Sequence, residues 1–433
     1  MSGSLLGLIG IAVMLVLLAL RTPVGMAMIV VGFVGNALLI GFDPALSMLA
    51  TETFSITSSY ALTIIPLFVL MGNLASASGL SRSLYDAAYA WIGSWRGGLA
   101  SATIVGCGGF AAVCGSSVAS AITMGRVALP EMERRGYDAR LATGTVAAGG
   151  TLGILIPPST GFVIYAILTE QSIGKLFIAG ILPGLLLIAL FIIAITLVVT
   201  FRPGLAPSAP RLPLKDRLPP TLSALPMVGV IVVSIGGIYA GVFTPTEAAG
   251  IGAFLVFLVA VARREMSLGT LRRVLVETVR TSAMTYLILI GAHIFAPFLA
   301  LTHLPSILAA GLLDLGLGAY GTLSVVLFVY IILGMFLEGF AMLVLTLPII
   351  FPLMMKLGFD PIWFGVMIVI LLEMSLVTPP VGLNVFVVKS IAPKVPMGQI
   401  FVGILPFWAA LFVCMVALVL FPSIATFLPS KMF

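Results

Sequence analysis

Charge is scarce in this chain. Asp, Glu, Lys and Arg together make up 8% of its 433 residues, and there are only two histidines and three cysteines. Each shortage excludes something. With 61% hydrophobic residues beside so little charge, the composition is far outside the range of soluble domains. Cys107, Cys114 and Cys414 supply neither a disulfide framework nor a metal pattern. Cys107 and Cys114 fall on one helix face, where packing accounts for them. His293 and His303 have no further ligands nearby that would complete a zinc set. His293 as a proton relay competes with the simpler reading of a packed side chain. No G-x-x-x-x-G-K-[ST] loop and no G-x-S-x-G elbow occurs, which disfavours ATP-driven chemistry by this chain alone and an intramembrane hydrolase, so no enzyme is expected. The formal charge of +6 marks loops on one membrane face, and no nucleic-acid partner is expected.

What is present is a succession of apolar runs of roughly 20 residues, each long enough to cross a bilayer. The first, Leu5 to Leu20, has no basic n-region and no small-residue cleavage site, so it reads as a retained helix and not a signal peptide. Two later runs are broken by Pro157-Pro158 and Pro379-Pro380. Proline lacks an N–H and clashes with the carbonyl four residues earlier. The first pair therefore frees the carbonyls of Gly153 and Ile154, and the second those of Ser375 and Leu376. In hydrocarbon, freed groups survive only where they are buried in protein or line a polar cavity. Broken helices at matching positions of two halves point to a midplane binding site in a secondary transporter.

Position 379 is position 157 plus 222, and the same spacing recurs along the chain. Thr22-Pro23 matches Thr244-Pro245. Pro130, Met132, Gly136, Tyr137 and Asp138 match Pro352, Met354, Gly358, Phe359 and Asp360. Gly180 to Pro183 matches Gly403 to Pro406 with a slip of one. These correspondences predict a duplication. The first unit is residues 1–200, with a re-entrant hairpin at about 97–135 and a broken helix at about 139–169. The second is 221–433, with a hairpin at about 320–356 and a broken helix at about 360–388. Residues 201–220 form a Pro- and Arg-rich cytoplasmic linker whose proline density is expected to forbid a helix. Asp43 to Tyr60 is expected along the outer surface and the basic stretch Met266 to Arg280 along the inner one, followed by a separate span, Thr281 to Leu301. Arginines flank the first hairpin, whereas Lys356 alone flanks the second, so the two open on opposite faces and the repeat is inverted. On this map all of the 21 Lys and Arg except Lys175, Lys356 and Lys431 are cytoplasmic. The fold class is an all-α polytopic membrane protein.

Sodium prefers several oxygen ligands, and unwound carbonyls at helix ends supply them. Candidate ligands are Gly115, Ser116 and Ser117 at the first tip with Gly149, Thr151 and Gly153 before the first break, mirrored by Gly339 with Thr378, Val381 and Gly382. Ser159, Glu338, Asn384 and Arg126 are candidates for the substrate cavity. The competing account of the small and hydroxyl residues is close packing between membrane helices. Glu338 maps to a hairpin tip. Glu373 serves either the site or a hydrogen bond to a neighbouring helix, Glu247 fits stabilisation of a helix N-terminus, and Arg126 is read either as snorkelling or as attracting an anion.

Through GSS at 115–117, PEMERRGYD at 130–138, GTLGILIPPS at 150–159, AGILPG at 179–184, TPTEAAG at 244–250 and TPPVGLN at 378–384, nearly the whole chain resembles the large, DctM-like membrane subunit of TRAP (tripartite ATP-independent periplasmic) transporters. The resemblance implies an elevator-type architecture of the ion-transporter superfamily, in a bacterial inner membrane. It implies sodium-driven uptake of an organic acid such as a C4-dicarboxylate or sialic acid, without a cofactor. It also implies two partners, a small four-helix (DctQ-like) membrane subunit and a periplasmic substrate-binding (DctP-like) protein. No four-helix segment precedes Met1, so the small subunit is expected as a separate chain. Arg126 departs from the small residue expected there. Rival readings are a stand-alone acid carrier or sodium/proton antiporter depending on Glu338 or Glu373, and a passive scaffold.

Overall fold

The computed structural model describes residues 3–207, 212–337 and 339–432, and these are helical without a strand. In chain order, α1 (Gly3–Ala19) and α2 (Val24–Ile40) are followed by α3 (Phe42–Ser58), which turns through Tyr60–Thr63 into α4 (Ile64–Ala77). After α5 (Leu80–Ile92) come α6 (Gly98–Cys114) and α7 (Ser117–Arg134), then α8 (Ala139–Leu155), α9 (Thr160–Thr169) and the long α10 (Ile173–Phe201). The second half runs α11 (Leu214–Tyr239), α12 (Pro245–Ala262), α13 (Leu268–Leu301), α14 (Leu304–Asp314), α15 (Gly318–Gly334) and α16 (Gly339–Lys356). It ends with α17 (Pro361–Val377), α18 (Leu383–Ile391), α19 (Met397–Leu420) and the short α20 (Ser423–Thr426). Among the described residues, eight helices are long and apolar enough to cross a membrane.

The spacing of 222 is visible in the elements. Helices α7 and α16 begin at Ser117 and Gly339, and α8 and α17 begin at Ala139 and Pro361. The repeated Gly-Tyr/Phe-Asp motif explains these boundaries. Gly136 (φ +72°) and Gly358 (φ +84°) take the left-handed conformation that ends α7 and α16. Two residues later Asp138 and Asp360 cap the next helix, accepting hydrogen bonds from the Arg140 and Trp363 N–H groups at 2.8 Å each, as short polar side chains do at this position. At α12 the cap is a reciprocal box. Thr244 accepts from the Glu247 N–H, and Glu247 accepts from the Thr244 N–H at 2.8 Å. Glu247 thus serves the helix end.

The core lies where the breaks are. Every residue of α17 from Ile362 to Val377 is buried, and so is α8 from Leu141 to Leu155. A helix with no polar face belongs inside. Helices α1, α2, α11 and α12 instead expose large apolar side chains, among them Val16, Leu38, Val232 and Phe254, as a lipid-facing rim does.

Two expectations are corrected. The linker is not helix-free to residue 220, because α11 begins at Leu214 and contains Pro219 and Pro220. Those prolines deprive only the Lys215 and Asp216 carbonyls, in the exposed opening turns, where water replaces the lost bonds. Arg211 of the linker lies outside the described residues. Second, Met266 to Arg280 and Thr281 to Leu301 are not separate elements, since one 34-residue helix, α13, spans Leu268–Leu301. At 1.5 Å per residue it is about 50 Å long, well beyond the ~30 Å of a hydrocarbon core, so its basic first turns project past the apolar layer. Helices α5 and α14 have no counterpart among the expected elements, and Asp43 to Tyr60 is for the most part the regular helix α3.

Candidate functional site

The first hairpin turns at Gly115 and Ser116, and the first broken helix is interrupted from Ile156 to Ser159. These two interruptions meet. Thr160, opening α9, donates its hydroxyl to the Gly115 carbonyl at 2.8 Å. Gly115 has φ +64°, and a Cβ there would fall 2.8 Å from the Pro158 carbonyl oxygen. On α8, a Cβ on Gly153 would fall 2.5 Å from the Ser116 carbonyl oxygen and 2.8 Å from the Ser117 nitrogen. Glycine at 115 and 153 is what lets backbone approach backbone here. The carbonyls of Gly115, Ser116 and Pro158 take part in these close approaches. Both Pro-Pro bonds, Pro157-Pro158 and Pro379-Pro380, are cis.

Other first-half candidates take different places. Ser116 caps α7 through the Ala119 N–H, and Ser159 caps α9 through the Phe162 N–H. Thr151 donates to the Ala148 carbonyl of its own helix at 2.6 Å. Gly149 faces Cys107 of α6 and not the tip.

The second half is not a copy. The residue matching Gly153 is Ser375, whose side chain packs against Gly334 near the end of α15. Among the described residues, the atom nearest a would-be Cβ on Gly339 belongs to Leu372, at 3.6 Å. Thr378 donates to the Met374 carbonyl and accepts from the Trp408 indole N–H at 3.0 Å. Val381 is exposed, and Gly382 (φ +55°) abuts Phe401 of α19. The break therefore leans on α19, and Gly339 stays open. Glu338 lies outside the described residues.

Between the two hairpins is a cavity of about 160 Å³. Its wall contains Ser117, Thr160, Gly339 and Leu383, the first residues of α7, α9, α16 and α18. All four helices that start at a tip or a break thus turn their N-termini to one space. Helix N-termini carry partial positive charge and free N–H groups and attract anions. The ends of the preceding helices are close by, with Cys114 and Leu376 in the same wall, so their carbonyl oxygens suit a cation. Among the described lining residues none is charged. Asn73 of α4 and Thr281 and Thr285 of α13 complete the wall.

Ser159 and Asn384 do not line this cavity, and both are buried. Arg126 is exposed and borders a separate cleft of about 390 Å³ with Glu133 and Lys394, so it is not brought to the tips. Sequence reasoning passed over Thr160, Asn73, Thr281 and Thr285. A polar residue inside an apolar helix was the available signal for Asn73, whereas Thr160 was hidden by its capping neighbour Ser159. Among the described residues no three His, Cys, Asp or Glu side chains gather as a metal site.

The family model described as tripartite ATP-independent periplasmic transporter, DctM component, matches residues 11–424. The chain belongs to this family. It is similar to the C4-dicarboxylate TRAP transporter large permease protein DctM of Pseudomonas aeruginosa, with 38% identity over 92% of this chain and 93% of that one. It is also similar to the isethionate TRAP transporter permease protein DctMQ of Oleidesulfovibrio alaskensis, at 35% identity over 87% of this chain and 59% of that protein. In fold it resembles Neisseria gonorrhoeae MtrF, with a TM-score of 0.59 at 14% identity, covering 93% and 94% of the two chains. As a DctM-family protein it is a multi-pass membrane component of a solute-uptake system that works with a periplasmic binding protein and a small membrane subunit.

Proposed function

We propose that the chain is the large subunit of a sodium-coupled importer of a small organic acid, residing in a bacterial inner membrane with residues 201–220 cytoplasmic. The observation that carries the reading is the convergence of four helix N-termini on one cavity without a charged lining residue among those described. A carboxylate suits four partial positive ends, and the sodium ions that accompany it suit the carbonyl ends and freed carbonyls beside them. The C4-dicarboxylate and isethionate named for two relatives are both small organic anions. The first ion site consists of the Gly115, Ser116 and Pro158 carbonyls. The second, around Gly339 and Thr378, assembles when the second tip closes on its break.

Transport proceeds as an elevator. The hairpins and broken helices, α6–α9 and α15–α18, move as one body against α4 and α13, whose Asn73, Thr281 and Thr285 close the cavity. Opposite orientation of the two repeats allows the tips to open to opposite sides in turn. The small four-helix membrane subunit assembles with it, and the binding protein delivers the acid.

The test is thermal stability of the chain purified with its small subunit, in sodium, potassium and choline at equal ionic strength. A ligand that binds only the folded state stabilises it by RT ln(1 + [L]/Kd). A saturable rise specific to sodium is the expected result. Identical curves in all three salts would sink the sodium assignment.

A further inference from the structure

Glu373 is fully buried on α17. One carboxylate oxygen accepts the Ser117 hydroxyl at 2.5 Å. The other is buried with no hydrogen-bond partner among the described residues. Asn384, at the start of α18 and 0% exposed, has no partner among the described residues for either end of its amide. The two orphans are neighbours of one residue. The point where a Gly150 Cβ would sit is 3.1 Å from the Ser117 carbonyl oxygen and 3.3 Å from the Asn384 side-chain nitrogen. Ser117 therefore touches Glu373 with its side chain, and its carbonyl and the Asn384 amide both lie beside Gly150.

Leaving three buried polar atoms unpartnered is costly, and a buried carboxylate without a countercharge costs most. No other charged residue occurs on α17 or on its neighbours α9, α15 and α19, and those on α7, α8, α10, α16 and α18 fall in their end turns or, for Arg126, on an exposed face. What satisfies an oxygen of Glu373 and the oxygen ends of Asn384 and Ser117 together is a small cation. The asparagine amide can present its oxygen by turning over.

We infer that Glu373, Asn384 and Ser117 bind a monovalent alkali cation of sodium's size, at a site additional to the pair proposed around the tips. The inference rests on reading the chain as an ion-coupled carrier. The repeat supplies no second copy of this site. The residue matching Glu373 is Thr151, which bonds within its own helix, and the residue matching Asn384 is Phe162. The site is thus a product of one half's sequence and not of the duplication. It also spans both halves, because Ser117 belongs to the first and the other two to the second. A cation here joins the first hairpin tip to the second broken helix.

The test is equilibrium binding of radioactive sodium to the purified chain with its small subunit, comparing wild type, Glu373→Gln and Asn384→Leu. Each variant is expected to bind one sodium fewer per chain than wild type while keeping a sodium-selective thermal shift from the tip sites. Undiminished stoichiometry in a folded Glu373→Gln variant overturns the inference and leaves the sodium-coupled reading standing. No sodium binding in the wild type overturns both. Should the variants fail to fold, infrared difference spectra of wild type between sodium and choline decide the matter. A carboxylate band that shifts with sodium supports the site, and a protonated carboxyl band indifferent to sodium refutes it.

Discussion

The hydroxyl of Thr160 and the carbonyl of Gly115 are 2.8 Å apart, and through them the far side of the first break is tied to the first hairpin tip. At the matching position in the second half stands Gly382, which has no side chain to make such a bond. The tie fixes the orientation of a carbonyl proposed as an ion ligand. Thr160→Val keeps the shape and removes the donor. A neutral hydrogen bond contributes about 0.5–1.5 kcal/mol net. If the loss falls on ion binding, the sodium half-saturation of the thermal shift rises roughly twofold to tenfold. An unchanged half-saturation would detach Thr160 from the ion site.

Glycine at 153 and at 339 should respond differently to the same change. A Cβ at Gly153 meets Ser116 and Ser117 backbone at 2.5 to 2.8 Å, and backbone cannot swing away as a side chain can. Gly153→Ala is expected to cost about 1–3 kcal/mol, as overpacking does, and to weaken the sodium response. At Gly339 the nearest atom among the described residues is 3.6 Å away, so Gly339→Ala should leave the melting temperature in choline nearly unchanged. Equal melting temperatures for the two variants in choline would contradict the asymmetry of the halves.

Much of this was legible in the sequence for a physical reason. Pro-Pro pairs, glycine-rich tips and Gly-x-Asp boundaries are local signals, and each acts within a few residues of where it is written. The breaks at 157 and 379 and the helix starts at 139 and 361 follow from them. What was not legible depends on distant partners or on solvent. Pro219 and Pro220 break a helix only where their deprived carbonyls are dry, and solvent exposure is not written in the prolines. Ser117 and Glu373 are 256 positions apart, so their bond is invisible to spacing. Ser159 reads from the sequence as a cavity hydroxyl, but capping α9 holds it inside.

The start of α8 offers a pH test outside the site. Arg140 hydrogen-bonds to Asp138, and this holds the Asp138 carboxyl below the usual carboxylate range, more than burial raises it. A depressed folded-state value means that the stabilisation is complete above the unfolded value, near about 4, and is lost as pH falls through the still lower folded value. Asp138→Asn should therefore be less stable than wild type at neutral pH by up to about 1 kcal/mol, given the partial exposure. The difference should shrink as pH falls below about 4. A gap between the melting curves that stays constant down to acid pH would refute this account.

Orientation of the repeats can be read chemically. Arg134 and Lys356 are the last residues of α7 and α16, both exposed and at matching positions of the two halves. They are better sites for a probe than Gly136 and Gly358, whose positive φ would strain any replacement. The native Cys107, Cys114 and Cys414 are all buried, so background labelling by a charged maleimide should be low. In sealed inside-out vesicles, an Arg134→Cys chain should label without permeabilisation if the first hairpin opens on the cytoplasmic side. A Lys356→Cys chain should label only after it. If both label in intact vesicles, the two hairpins share a face and alternating access cannot arise from inverted repeats. In that case the asymmetry between Gly153 and Ser375 would have to belong to two sites open to the same side.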